Sequence, residues 1–169
     1  MLTVEYGTEP LLVRASAVDT PTGVPVSDRT YRDVLVDSRL SLQAGGDDTV
    51  YGLYVRQTAG ASYAAWGMSP TGRIVAGVVA DNAWHPMADA DLAPDLPFAH
   101  GLGQPNRFQV LALGPSLVFV LNGAIVTGIN VDARFKEGFL GYWLLRGQQA
   151  EEAVMAVGWL QLRAVLPNQ

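Results

Sequence analysis

The chain has 169 residues, 49% of them hydrophobic and 16% charged, with a formal net charge of −5. That length and composition exclude disorder and predict one globular domain over 1–169 with a real core. The acidic balance and 11 scattered basic residues argue against nucleic acid and anionic membranes; the lack of cysteine removes disulfides, thiolate zinc sites and cysteine nucleophiles.

The opening "MLTVEYGTEP" has neither a basic n-region nor an apolar h-region, so no signal peptide is expected there. It reads as a domain boundary with an added Met, the edge of a piece excised from a longer protein. "EPLLVRASA" is a first strand, and "PTGVPVSD" (21–28) an irregular connection with two prolines. "YRDVLVDSRLSLQ" (31–43) alternates with period 2. Val34, Val36, Leu40 and Leu42 share one face; Asp33, Asp37, Arg39 and Ser41 share the other, read as a solvated outer face. "AGGDD" turns the chain and "TVYGLYVRQ" returns it as the neighbouring strand. "SYAAWGMS" and "GRIVAGVVA" follow, joined by the turn "SPTG", and "AWHPM" is a short candidate strand. Residues 86–106 hold four prolines and read as the longest loop. "RFQVLALG" leads into "VFVLNGAIVTG", where Asn122-Gly123 supplies the two positive-φ positions of a type I′ hairpin turn. "GFLGYWLLR" and "AVMAVGWLQLRAVLP" complete the strands, with a polar bend or one helical turn at 148–156. No stretch approaches the ~20 apolar residues of a membrane span, so no direct membrane insertion is expected. Many short strands with closely spaced turn signals predict an all-β, two-sheet antiparallel β-sandwich, with a barrel as the alternative.

Several of these positions also carry a family likeness. Asn106, Phe108, Val110, Gly114, Asn122, Gly123, Asp132, Phe135, Gly138 and Gly141, with Gly52, Arg56, Tyr63 and Gly72 upstream, form a pattern over about residues 6 to 165. The pattern resembles concanavalin A-like (laminin-G-like) jelly rolls, nearest the bacterial 3-keto-disaccharide hydrolase-like group. The resemblance implies a jelly roll with one concave sheet, sugar binding on or beside that sheet, attachment to a larger bacterial chain, and an extracytoplasmic or cell-surface setting. It specifies fold well and function badly, because most of its residues are turn and core positions.

Enzyme chemistry has little to stand on, and no catalytic residue is assigned. Glycoside hydrolysis usually needs two carboxylates at a fixed separation. The five glutamates (Glu5, Glu9, Glu137, Glu151, Glu152) lack the period-2 spacing that would point a pair into one cleft. His85 and His100 are the only histidines, and no Gly-x-Ser-x-Gly elbow accompanies them. No cofactor is expected, with calcium the one candidate: Asp89, Asp91 and Asp95, with Asp81 and Asn82 nearby, place oxygens on a turning backbone but lack the EF-hand pattern. A sugar site needs an aromatic platform with planar polar groups. Tyr54 and Arg56 share a strand face and, with Trp66 and Arg39, form one candidate surface; Trp84, beside His85 at the mouth of the long loop, is another. The expected function is therefore a non-catalytic ligand- or partner-binding domain, with carbohydrate the foremost small ligand. A hydrolase of the 3-keto-disaccharide type and an architectural or protein-interaction domain are the alternatives.

Overall fold

In a computed structural model of the chain, residues 2–4, 10–19, 21–58, 62–81 and 83–165 are described. The candidates Glu5, Glu9 and Asn82 lie outside them. The described residues form thirteen strands: β1 (Leu2–Val4), β2 (Leu11–Ala15), β3 (Thr22–Pro25), β4 (Val34–Ala44), β5 (Val50–Gln57), β6 (Tyr63–Met68), β7 (Arg73–Ala80), β8 (Ala83–Asp91), β9 (Asn106–Leu113), β10 (Ser116–Leu121), β11 (Ala124–Asn130), β12 (Phe139–Leu145) and β13 (Ala153–Ala164). One 3-10 turn, Ala133–Phe135, is capped by the Asp132 carboxylate, which accepts from the Arg134 amide.

All named pairings are antiparallel, and they make two sheets. A seven-stranded sheet runs β1-β13-β4-β9-β10-β11, with β2 also on β13; a six-stranded sheet runs β3-β12-β5-β6-β7-β8. This is the two-sheet jelly-roll sandwich that the alternation predicts. Inward-facing positions interleave between the sheets. Val34, Val36, Leu40 and Leu42 of β4 meet Tyr51, Leu53 and Val55 of β5, all essentially buried. Trp66 lies at the centre, wholly buried, stacked on Phe119 with centroids 5.2 Å apart and beside Phe108 at 5.1 Å.

The Asn122-Gly123 turn joins Leu121 to Ala124 as a two-residue hairpin, with φ of 49° and 91°. Four other expectations are corrected. β4 and β5 are not neighbours: their turn carries the chain from one sheet to the other, since β4 pairs with β9 and β13 and β5 with β6 and β12. The segment 21–28 contains β3, a short strand at the end of the six-stranded ladder, where Pro25 is tolerated. Residues 86–91 continue β8. Pro86 does not break that strand, because β8 ends its sheet and Pro86 sits at a register shift opposite Gly77. The loop therefore starts at Leu92. Finally, Asp37 is not solvated: it is 1% exposed, its carboxylate held by Arg107 Nε at 2.9 Å, Arg107 Nη2 at 2.5 Å and Gln109 Nε2 at 3.2 Å.

The loop between β8 and β9 is held by two asparagines. Asn106 donates to the Ala99 carbonyl and accepts from its amide, both at 2.9 Å. Asn122 Nδ2 donates to the Pro97 carbonyl at 2.9 Å and to Asn106 Oδ1 at 2.8 Å, while its Oδ1 accepts from the Arg107 amide at 2.7 Å.

Candidate functional site

An antiparallel sheet in a sandwich usually keeps one face apolar and one face polar. The six-stranded sheet does not. β5, β6 and β12 are buried at nearly every position, on both faces. Their outward side chains form a second apolar cluster of Val50, Tyr54, Ala65, Val75 and Trp143, with Tyr63, Trp84 and Leu145 packed on it half-buried. Period 2 builds this cluster: while Tyr51, Leu53 and Val55 enter the core, Val50 and Tyr54 point out.

Three aromatic side chains line a cleft of about 480 Å³ on this face: Tyr63 from β6, Trp84 from β8 and Trp143 from β12. Val79 connects them, in register with Tyr63 on one side and Trp84 on the other. Trp84 stacks on Trp143 with ring centroids 5.4 Å apart at 25°. Trp143 is 1% exposed and forms the floor, whereas Trp84 and Tyr63 remain open to solvent. Beside them Tyr54 packs against Tyr63 at 5.5 Å and lies flat over β12 and β3. A Cβ at Gly141 would come within 2.7 Å of the Tyr54 ring, so this glycine is needed for the ring to lie down.

The rim is polar. Asp19 and Pro21 close one side of the cleft, on the segment that follows β2. The Asp19 amide donates to the Arg146 carbonyl at 3.0 Å, and its exposed carboxylate accepts from Gln148 Nε2 at 3.1 Å. Burial pushes the Tyr54 hydroxyl up to about 12 and raises that of Tyr63 as well. Both phenols are therefore neutral at ordinary pH, able to donate and accept. The cleft offers aromatic faces, one neutral hydroxyl and one carboxylate: surfaces for C–H groups beside partners for O–H groups.

The structure separates the residues expected to form one surface. Trp84 lines the cleft, although it stands just after the β7–β8 turn, at the far end of β8 from the long loop. Tyr54 is beneath the cleft wall at 2% exposure. Arg39 is exposed on the other sheet, because β4 and β5 are not neighbours. Trp66 faces the core. Arg56 is 1% exposed: at φ 60°, beside a register shift between β5 and β12, it leaves the strand's regular alternation and donates to the Arg32 carbonyl at 3.2 Å, 4.0 Å from Asp33. Of the acidic candidates, Asp89 is taken by Arg73 through two 2.6 Å contacts, while Asp91 and Asp95 are exposed. Among the described residues no three His, Cys, Asp or Glu side chains gather as a metal-holding group. Sequence reasoning missed Tyr63, Trp143 and Asp19. The signal for Tyr63 was present, since "YAAW" puts Tyr63 opposite in phase to the core residue Trp66.

No protein-family model matches the sequence, and no curated protein sequence does. Solved structures match its shape. A carbohydrate-binding module, CBM66 from Bacillus subtilis, is 14% identical with a TM-score of 0.70, over 88% of this chain and 84% of that one. A GH16 protein from Bacteroides ovatus, in complex with an oligosaccharide product, is 9% identical with a TM-score of 0.62, over 95% and 84%. A galectin from Caenorhabditis elegans is 12% identical with a TM-score of 0.55, over 89% and 95%. These likenesses establish a concanavalin A-like jelly-roll fold and no finer family. No helix among the described residues is long and apolar enough to cross a membrane.

Proposed function

We propose that the protein is a saccharide-binding domain whose ligand seats in the Tyr63–Trp84–Trp143 cleft. The observation that carries this reading is the stacked Trp84–Trp143 pair, with Trp84 and Tyr63 part-exposed at a cleft floored by a buried apolar cluster. A concave, mainly apolar cleft with a few polar groups beside it is the usual form of a small-ligand site. The partly exposed Trp84 ring supplies the platform for a pyranose face, Tyr63 and Asp19 the hydroxyl partners. The neighbours' own descriptions, a carbohydrate-binding module and a galectin among them, fit that class of ligand. Among the described residues Asp19 is the one carboxylate lining the cleft, which favours binding over hydrolysis of the 3-keto-disaccharide type, since hydrolysis usually needs a pair. An extracytoplasmic or cell-surface setting suits such a domain.

Tryptophan fluorescence tests this directly. Neutral oligosaccharides titrated into the protein perturb the Trp84–Trp143 emission, and Trp84→Ala lowers affinity about tenfold or more, the scale of one lost stacking partner. Unchanged affinity in Trp84→Ala sinks the cleft as the site. Calcium added beside a chelator control reports separately on Asp91 and Asp95. A thermal shift with calcium alone would direct attention to the end of β8 and the start of the following loop instead.

A further inference from the structure

The outer face of the seven-stranded sheet has the opposite chemistry. A trough of about 570 Å³ crosses β2, β13 and β4 there. Leu12, Val154 and Ala156 supply apolar walls, Ser41 and Gln43 planar or hydroxylic polar groups, and Arg14, Arg39 and Trp159 the large side chains.

A bulge creates this arrangement. β13 slips register between Val157 and Trp159, so Gly158 and Trp159 together oppose the single residue Arg39. Trp159 thereby faces outward between the buried residues Val157 and Leu160. Its displaced carbonyl is not left bare, because the buried Ser38 hydroxyl donates to it at 2.7 Å. Gly158 leaves the Arg39 stem uncovered: a Cβ there would sit 3.6 Å from Arg39 Cδ, in ordinary contact. Arg107, fixed by Asp37, places its guanidinium 5.9 Å from the Trp159 ring centroid.

The charges are unbalanced in one place. Arg107 is matched by the buried Asp37, and Arg14 meets Glu152 at 3.2 Å with both side chains more than half exposed. Among the described residues the Arg39 side chain has no hydrogen bond or ion pair, and no carboxylate lines the trough. An open guanidinium fork next to an outward tryptophan matches a ring that carries a planar carboxylate: the fork takes two oxygens in parallel and the indole takes the ring face. In a chain of net charge −5, this cationic spot runs against the overall field. We propose that the trough is a second binding site, for saccharides bearing carboxylate groups. It is independent of the cleft, on the other sheet.

The test is titration calorimetry with an oligogalacturonate, its methyl ester and a neutral oligoglucoside. The uronate binds, the ester binds about tenfold or more weakly, and raised salt narrows the gap, as expected for a charge-assisted pair. Arg39→Gln abolishes the preference for the acid, and Arg39→Lys, which keeps the charge without the fork, restores it only in part. Gly158→Leu fills the trough with the arginines intact and also loses the uronate. The preference for acid over ester persists in Trp84→Ala, which disables the cleft, and its loss there also overturns the proposal. Equal affinity for acid and ester, no uronate binding, or a uronate affinity insensitive to Arg39→Gln overturns the proposal. The oligoglucoside and Trp84→Ala report on the cleft in the same experiment, so failure of one site is read apart from failure of the other. Circular dichroism of each variant checks that the fold is kept.

Discussion

Tyr54 is 2% exposed, and its hydroxyl is buried without a hydrogen-bond partner. An unpaired buried hydroxyl costs free energy that its ring does not need to incur. Tyr54→Phe is therefore expected to raise stability by about 1 kcal/mol, measured by chemical denaturation, while leaving the ring over Gly141 in place. Asp37 shows the opposite economy. It too is buried, but Arg107 and Gln109 occupy its oxygens, and that hydrogen bonding holds the Arg107 guanidinium above its ordinary range. The sequence shows Asp37 only as a polar residue on an alternating strand. Its partner stands 70 positions further on, brought alongside by the β4–β9 pairing, which no local pattern encodes.

At the scale of elements, signals that act over two to four residues are read correctly, and those that depend on a distant partner are not. The β10–β11 hairpin needs only Asn122-Gly123, whose positive φ angles are local. Whether β4 and β5 share a sheet depends on which strands flank each, so local pattern groups Arg39 with Tyr54 although they lie on different layers. Pro86 misled for a related reason: it argues against a central strand, but an edge strand accepts it, and edge position is a property of the whole sheet. The sequence singles out Trp84 by its nearness to the long loop, and the structure puts it in the cleft from the opposite end of β8. Trp143 is less conspicuous, because "GYWLL" looks like a core strand and its outward apolar partners come from four other strands. The hairpin also carries a prediction of its own. Asn122→Ala removes three side-chain hydrogen bonds and the tolerance for φ of 49°. A loss of roughly 2–3 kcal/mol is expected, with faster hydrogen exchange at the Arg107 and Ala99 amides.

For the whole molecule, two tyrosines set the alkaline limit. Burial pushes both Tyr51 and Tyr54 up to about 12 from an ordinary 10.0. A raised folded value means the protonated phenol is favoured by the fold, so this contribution is complete below the unfolded value and is lost as pH rises through the folded one. Stability should hold up to about pH 10 and fall between about 10 and 12, with tyrosinate absorbance appearing together with unfolding. Tyr54→Phe should shallow that fall; ionisation of the Tyr51 and Tyr54 phenols near pH 10 in the folded state would count against it. The two faces of the sandwich are chemically distinct, one lined by Tyr63, Trp84 and Trp143 and one by Arg14, Arg39 and Trp159, with an apolar core between them. The hairpin turn, finally, has a history written into it. Asn-Gly is the pair in which a backbone nitrogen most readily attacks the preceding side-chain amide, releasing ammonia and leaving aspartate or its isomer. At Asn122 the lost amide is the donor to both the Pro97 carbonyl and Asn106 Oδ1, so the aged side chain would turn an acceptor toward two acceptors. Chemical ageing of one residue would then loosen the loop around Pro97, while Gly101 and Gly103 stay bonded to Pro70 and Leu42, and old preparations should contain a slightly heavier, more anionic form that proteases cut first near Pro97.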